Sequence, residues 1–378
     1  MRTLLIFGTR PEAIKMSTLA LKLKSDIRFD LKVCVTGQHR EMLDQVLNLF
    51  ELKPDFDLNI MKHGQDLTDI TCAILQKLKN VFSAWRPDII LVHGDTTSTL
   101  AASLASYYHS IPVAHVEAGL RTGNLYSPWP EEANRKITSV LTNLHFAPTE
   151  QSKVNLIAEG YLEEQIKVTG NTVIDSLLFI ASKLSQDKAL EAETLAGLPF
   201  YNSDRPFVLI TGHRRESFGE GFERICEAIS ISAQKHTDFD FIYPVHMNPN
   251  VLEPVNRVLG SIKNVQLVPP LSYLSFVYLM SKSYFILTDS GGVQEEAPSL
   301  GKPVLLMRDT TERPEAVASG TVKLVGTNTT LIVESIDKLI DDASLYQAMS
   351  QAVNPYGDGF SCDRILNELF NWHLSKAV

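Results

Sequence analysis

Cysteine is scarce in this chain of 378 residues: Cys34, Cys72, Cys226 and Cys362 are the only four. None stands in a C-x-x-C pair and the spacings are wide, so a zinc ribbon or a disulfide framework is disfavoured and reduced thiols in a cytosol fit better. Long apolar runs are missing as well. No stretch approaches the ~18 residues that would span a bilayer. The N-terminus reads MRTLLIFGTRPEAIKM, and its apolar run of about five residues is too short for a signal-peptide core and suits a buried strand. A basic surplus is also lacking, since the formal net charge is −9. That argues against a nucleic-acid or membrane-surface partner, and an anionic ligand then has to be held by local cations. The expectation is a cytoplasmic protein.

What is present is globular: 44% hydrophobic and 21% charged residues. At ~100–200 residues per domain, the length suggests two domains, each able to bury its own core. Short apolar segments alternate with amphipathic ones. Strands are expected at Thr3–Gly8, Leu31–Thr36, Asp88–His93, Pro112–Val116 and His145–Ala147, with helices at Pro11–Leu23, Arg40–Phe50 and Leu67–Trp85. Near-continuous apolar strands such as DIILVH are those of a parallel sheet covered on both faces. The pattern pauses over Gly170–Ser203 and restarts with strands at Phe207–Thr211, Phe239–Val245, Val265–Val268, Tyr284–Thr288 and Val304–Met307, and a terminal helix at Ser361–Ser375. The fold class is α/β: two Rossmann-like, doubly wound domains, 1–170 and 171–360, facing across a cleft. Ligands of such sheets lie beyond the carboxyl ends of the strands, which directs attention to the residues that follow them.

The first strand runs into Gly8-Thr9-Arg10-Pro11-Glu12, with Lys15 a turn further on. A redox dinucleotide wants G-x-G-x-x-G here; a single glycine argues against a nicotinamide cofactor in this half. Arg10 and Lys15 place two cations near a helix N-terminus, where anions are already favoured, although two solvated charges would read the same. Asp95 and Glu117 follow adjacent apolar strands and are acid/base candidates; Asp95 equally suits a helix cap. His93, Asp95, His115 and Glu117 have the spacing of a two-histidine, two-carboxylate metal site, but histidines inside apolar strands are more often satisfied core residues, and no metal is expected. Glu131, Glu132 and Arg135 open a helix after a loop with two prolines, where acidic residues are also ordinary.

In the second half, Thr211-Gly-His-Arg-Arg sets His213 and Arg214 behind a glycine in the manner of an anion clamp, and His246 ends the next strand. The densest signal is Thr288-Asp-Ser-Gly-Gly-Val-Gln-Glu-Glu. Ser290, Gly291 and Gly292 let backbone N–H groups approach a diphosphate at a helix N-terminus, and Glu295 or Glu296 can accept hydrogen bonds from ribose. Arg313 follows the next strand. A tight turn with a solvated acidic face is the plain alternative.

In this order, GTRPEAIK, QHREMLDQ, HGDTTST, HVEAGLRTG, PWPEEANR, GNTVID, GHRRES, SGGVQEEAPSLGKPVL and TERPEA run through nearly the whole chain. Together they resemble the bacterial non-hydrolysing UDP-N-acetylglucosamine 2-epimerases. The resemblance implies a glycosyltransferase-B fold, with the C-terminal segment 361–378 crossing back onto the first domain, and a homodimer without cofactor. It implies reversible C2 epimerisation of UDP-GlcNAc to UDP-ManNAc, feeding cell-envelope polysaccharide. Arg10, Lys15, Asp95, Glu117, Glu131, Arg135 and His213 would line the active cleft, with Asp95, Glu117, Glu131 and His213 catalytic. Phe276, Ser290, Gly291, Gly292, Glu296 and Arg313 would hold UDP, Glu296 taking the ribose. Leu271 departs from the glutamine that relatives place against uracil. Gln38, Arg214 and His246 match the pattern of a second, activating UDP-GlcNAc pocket, while Glu41 and Gly64 depart from it.

Carbon 2 bears no proton acidified by a carbonyl. Breaking the C1–O bond to UDP acidifies it, and elimination gives 2-acetamidoglucal plus UDP, which re-add with a proton on the other face. Such chemistry needs a retained diphosphate, two acid/base groups and exclusion of water. A retaining glycosyltransferase of the same fold and a hydrolysing epimerase that releases ManNAc and UDP are the alternatives. A nucleotide-sugar sensor without catalysis fits the acidic strand ends poorly.

Overall fold

Near-continuous apolar segments form the strands of two parallel sheets. The computed structural model describes residues 1–38 and 40–376. His39 of the QHREMLDQ motif and residues 377–378 of the terminal segment lie outside them. The chain divides into two compact units, 1–176 with 356–378, and 177–355.

The first unit holds strands β1 (Arg2–Phe7), β2 (Asp30–Val35), β3 (Phe56–Asp57), β4 (Ile89–His93), β5 (Val113–Val116), β6 (Leu144–Ala147) and β7 (Ile166–Val168). They pair in the order β3-β2-β1-β4-β5-β6-β7. β1 therefore sits between β2 and β4, and the connections leave it in opposite directions. Its register with β4 sets Thr3, Leu4 and Leu5 beside Ile89, Ile90 and Leu91. Leu4, Ile6, Ile90 and Val92 meet Ile70, Ile74 and Leu78 in one buried cluster. Those last three recur every fourth residue along the helix Leu67–Ala84, so one stripe of it faces the sheet. The terminal helix Ser361–Lys376 belongs to this unit. Asp175 accepts from its first amides, Ser361 N at 3.2 Å and Cys362 N at 2.9 Å, and Lys22 bonds Asp363 at 2.5 Å.

The second unit holds β8 (Phe207–Thr211), β9 (Asp240–Pro244), β10 (Val265–Val268), β11 (Phe285–Thr288), β12 (Val304–Leu306) and β13 (Val322–Leu324), paired β10-β9-β8-β11-β12-β13. Val208, Ile210, Phe241, Tyr243, Phe285 and Leu287 are among its core. Each sheet thus has a point where strand order reverses, β1/β4 in one and β8/β11 in the other, and such points open a crevice at the carboxyl ends. Strands β3, β7 and β13 were not foreseen. They are two or three residues long, lie at sheet edges and interleave polar with apolar residues, so they carry no apolar run to read.

Candidate active site

In the first unit, β1 leads into the helix Arg10–Ser25 and β4 into the helix Thr97–Tyr108. Glu12 joins the two turns. Its carboxylate accepts from the backbone N–H groups of Gly8 at 3.0 Å and Thr9 at 2.8 Å, and from the Thr96 hydroxyl at 2.7 Å and the Thr99 hydroxyl at 3.1 Å. Burial raises its pKa against the pull of these donors. Arg10 is the first residue of its helix and half-buried, and Lys15 lies one turn along.

Lys15 ion-pairs with Glu117, which follows β5. Asn171 Nδ2 donates to the same carboxylate at 2.8 Å, and His93 Nε2 stands 3.7 Å away. Burial alone would raise the Glu117 pKa; the Lys15 ammonium, with the Asn171 bond, overrides it and holds the carboxyl well below its usual range. Burial pushes His93 down to about 4, so it is neutral at pH 7. Glu117 also has φ +64°, a left-handed conformation that costs a non-glycine residue roughly 1–2 kcal/mol.

His115 bonds the Gly94 carbonyl through Nε2 at 2.7 Å. A carbonyl only accepts, so Nε2 carries the proton. Gly94, at φ +67°, turns the chain toward Asp95. Asp95 is not the helix cap: Thr96 takes that place, accepting from Thr99 N at 3.1 Å. The Asp95 carboxylate instead accepts from Arg135 at 2.6 Å, and its backbone carbonyl accepts from Asn134 at 2.9 Å. Arg135 is shared with Glu132 at 3.3 Å. Glu132 is fully buried and also accepts from the amides of Thr122 and Gly123. Glu131 opens the helix Glu131–Leu141 and is half-buried. Gln38 accepts from Ser98 at 3.0 Å. Among the described residues, no three His, Cys, Asp or Glu side chains are grouped to hold a metal ion.

In the second unit, β8 and β11 are stitched at their ends by Thr211 and Thr288, whose hydroxyls are 2.5 Å apart. His213 follows β8 and stacks on His246, with ring centroids 5.3 Å apart and planes at 14°. Burial lowers the His213 pKa; nearby Asp289 opposes this, and His246 and Arg214 add to it. A cavity of about 270 Å³ opens here. His213, Ser290 and Glu296 give it polar walls, and Leu271 and Phe276 apolar ones. Tyr273 donates to Glu296 at 3.5 Å, whereas Glu295 pairs with Arg313 at 2.5 Å. Of the two glutamates left open by the sequence, Glu296 is therefore the one lining the cavity. The Arg313 guanidinium lies against Gly291: a Cβ there would stand 2.6 Å from Nη1.

The structure brings Lys15, Glu117 and Asn171 together, and likewise Asp95 with Arg135, and His213 with His246, Ser290 and Glu296. Sequence reasoning missed Asn171 and Asp289 as individual contributors. Both stand inside recognisable motifs, but their partners lie 54 and 76 residues away.

Two doubly wound units, one with an ionised buried carboxylate at its strand ends and the other with a cavity walled by His213, Ser290, Glu296, Leu271 and Phe276, define an α/β enzyme of glycosyltransferase-B type. A glycosyltransferase from Rickettsia africae shares that fold at 14% identity and TM-score 0.65. A family model described as UDP-N-acetylglucosamine 2-epimerase matches residues 21–370. The UDP-N-acetylglucosamine 2-epimerase of Escherichia coli (strain K12) is 60% identical over 375 residues, 99% of this chain and 100% of the relative. The crystal structure of UDP-GlcNAc 2-epimerase from Neisseria meningitidis bound to UDP-GlcNAc superposes with TM-score 0.89 at 54% identity, covering 98% of this chain and 100% of the other. The Methanocaldococcus jannaschii enzyme in complex with UDP-GlcNAc and UDP gives 0.79 at 32% identity, with the same coverage. This chain belongs to the UDP-N-acetylglucosamine 2-epimerase family and is an isomerase.

Proposed function

We propose that the chain interconverts UDP-N-acetylglucosamine and UDP-N-acetylmannosamine without net hydrolysis, by eliminating and re-adding UDP. The observation that carries this reading is Glu117: a buried carboxylate kept ionised by Lys15 and Asn171, one strand away from the Asp95–Arg135 pair.

The C1–O bond breaks with its electron pair passing to the diphosphate oxygen. The C2 proton goes to a carboxylate and a C1=C2 double bond forms, giving 2-acetamidoglucal. On return, a proton reaches C2 from the other face and the diphosphate oxygen rejoins C1. Atoms and charge balance with no cofactor. Arg10, His213, Arg313 and the Ser290–Gly292 amides steady the leaving diphosphate; Phe276 faces the uracil and Glu296 the ribose. Glu131 carries no charged partner among the described residues, which suits proton transfer, with Asp95 as the second group. Glu117, doubly held, steadies the sugar and its developing positive charge.

A homodimer and a cytoplasmic setting are part of the same proposal, as is the supply of ManNAc-type sugar for envelope polysaccharide. The exposed Tyr107, Tyr108, Ile137 and Val140 offer apolar surface for a second copy.

Proton NMR of the enzyme with UDP-GlcNAc alone in deuterium oxide tests the mechanism. UDP-ManNAc with deuterium at C2 and no acceptor is expected. Protium retained at C2 would sink the elimination route, UDP accumulating in step with product would mean hydrolysis, and no turnover without an acceptor would mean transfer. Glu117→Gln and Glu131→Gln should each slow turnover about 10²–10⁴-fold with UDP binding retained; near-normal turnover in both would refute the site.

A further inference from the structure

Asp289 is fully buried, yet it is neither a strand residue nor one of the groups given a role above. Its Oδ2 accepts two backbone N–H groups, from His213 at 2.6 Å and Arg214 at 2.7 Å. Its Oδ1 is buried, has no hydrogen-bond partner among the described residues and stands 3.5 Å from His213 Nδ1. The Gly212 carbonyl, on the other side of His213, accepts from the buried Tyr243 hydroxyl at 3.0 Å. The backbone on both sides of His213 is thus pinned from the sheet, and a charged oxygen waits behind its ring.

We propose that Asp289 is the positioning residue for His213: it clamps the turn through two amides and accepts the Nδ1–H hydrogen bond, so that Nε2 is presented to the diphosphate of the substrate. This deepens the reading in which His213 serves the diphosphate, and rests on it. A carboxylate behind an imidazole fixes the tautomer and steadies the imidazolium when an anion arrives. The groups facing His213 are Asp289, His246 and Arg214, with Glu296 on the cavity wall. Two of these are basic and work against protonation, so the Asp289 charge is the counterweight.

The first test needs no variant. Nitrogen-15 NMR of histidine-labelled, unliganded wild-type enzyme should show neutral His213 protonated at Nδ1; an Nε2–H tautomer would overturn the proposal. The second is a double-mutant cycle. Asp289→Asn should lower kcat/KM for UDP-GlcNAc about 10–100-fold, chiefly through KM, and move the basic limb of its pH profile to lower pH, whereas in a His213→Asn background the same change should cost less than about 3-fold. Equal losses in both backgrounds would mean that Asp289 acts only on folding, and would overturn the proposal. Should Asp289→Asn not fold, the tautomer measurement decides alone. Normal turnover by His213→Asn would remove the diphosphate role of His213, and is distinguishable because the tautomer is read without substrate.

Discussion

Glu117 concentrates three costs at one residue: a charge away from water, a left-handed backbone and the ordering of Lys15 and Asn171 around it. Each is tolerated only where the surroundings over-determine the geometry. Beside it the buried histidines have the opposite preference. Burial drives His93 to about 4 and His115 and His145 to about 3. Their unfolded value is about 6.5, so the unfolded chain takes up protons first. The stability they contribute is complete above about pH 6.5 and is lost as pH falls toward 4 and then 3. At three protons the slope reaches at most about 4 kcal/mol per pH unit, and Glu117, with its lowered pKa, adds loss in the same direction in the carboxyl range. Urea midpoints should therefore drop steadily from pH 7 to pH 5, and His145→Leu should remove about one proton from that slope; a flat profile would contradict the neutral assignment. The residue types at the site were legible because carboxylates and cations directly follow apolar strands. Their partnerships were not. That Asp95 meets Arg135, that Glu12 links two turns and that Asn171 reaches Glu117 all depend on contacts between distant segments, which no local spacing records.

At the scale of elements, the inner strands were readable because a strand buried on both faces is apolar throughout. The edges were not, because two or three half-polar residues look like loop. The turn after β11 joins both sides of this. Its glycines were readable as room for an anion, but the structure adds that Gly291 also makes room for Arg313. Alanine at this helix start would normally favour the helix by up to about 1 kcal/mol. Here its methyl would meet the guanidinium and push it off Glu295, the group that aims it. Gly291→Ala should slightly lower the melting temperature, because the buried Glu295 loses its Arg313 bond despite the helix gain, and should weaken UDP binding about 10-fold, or about 1.4 kcal/mol, by calorimetry. Unchanged affinity would show that Arg313 need not sit at this turn.

At the scale of the whole molecule, the net charge of −9 gives an anionic nucleotide-sugar no general attraction, so recognition falls to the local cations of each unit. The two units have separate sheets and separate cores, and the proposed labour is divided between them: uracil, ribose and most of the diphosphate contacts on the second, proton transfer and Arg10 on the first. Ligand binding stabilises whatever must be folded to bind it, by about 2.7 kcal/mol at a hundredfold excess over Kd. With UDP alone, without sugar, that gain should fall on the second unit. Amide exchange should slow by up to about 100-fold in β8 and β11 and in the turns they lead into, and change far less in β1, β4 and β5. Comparable protection in β4 and β5 would mean that the first unit also grips the nucleotide, and that catalysis and retention of UDP are not separable in the way the strand ends suggest.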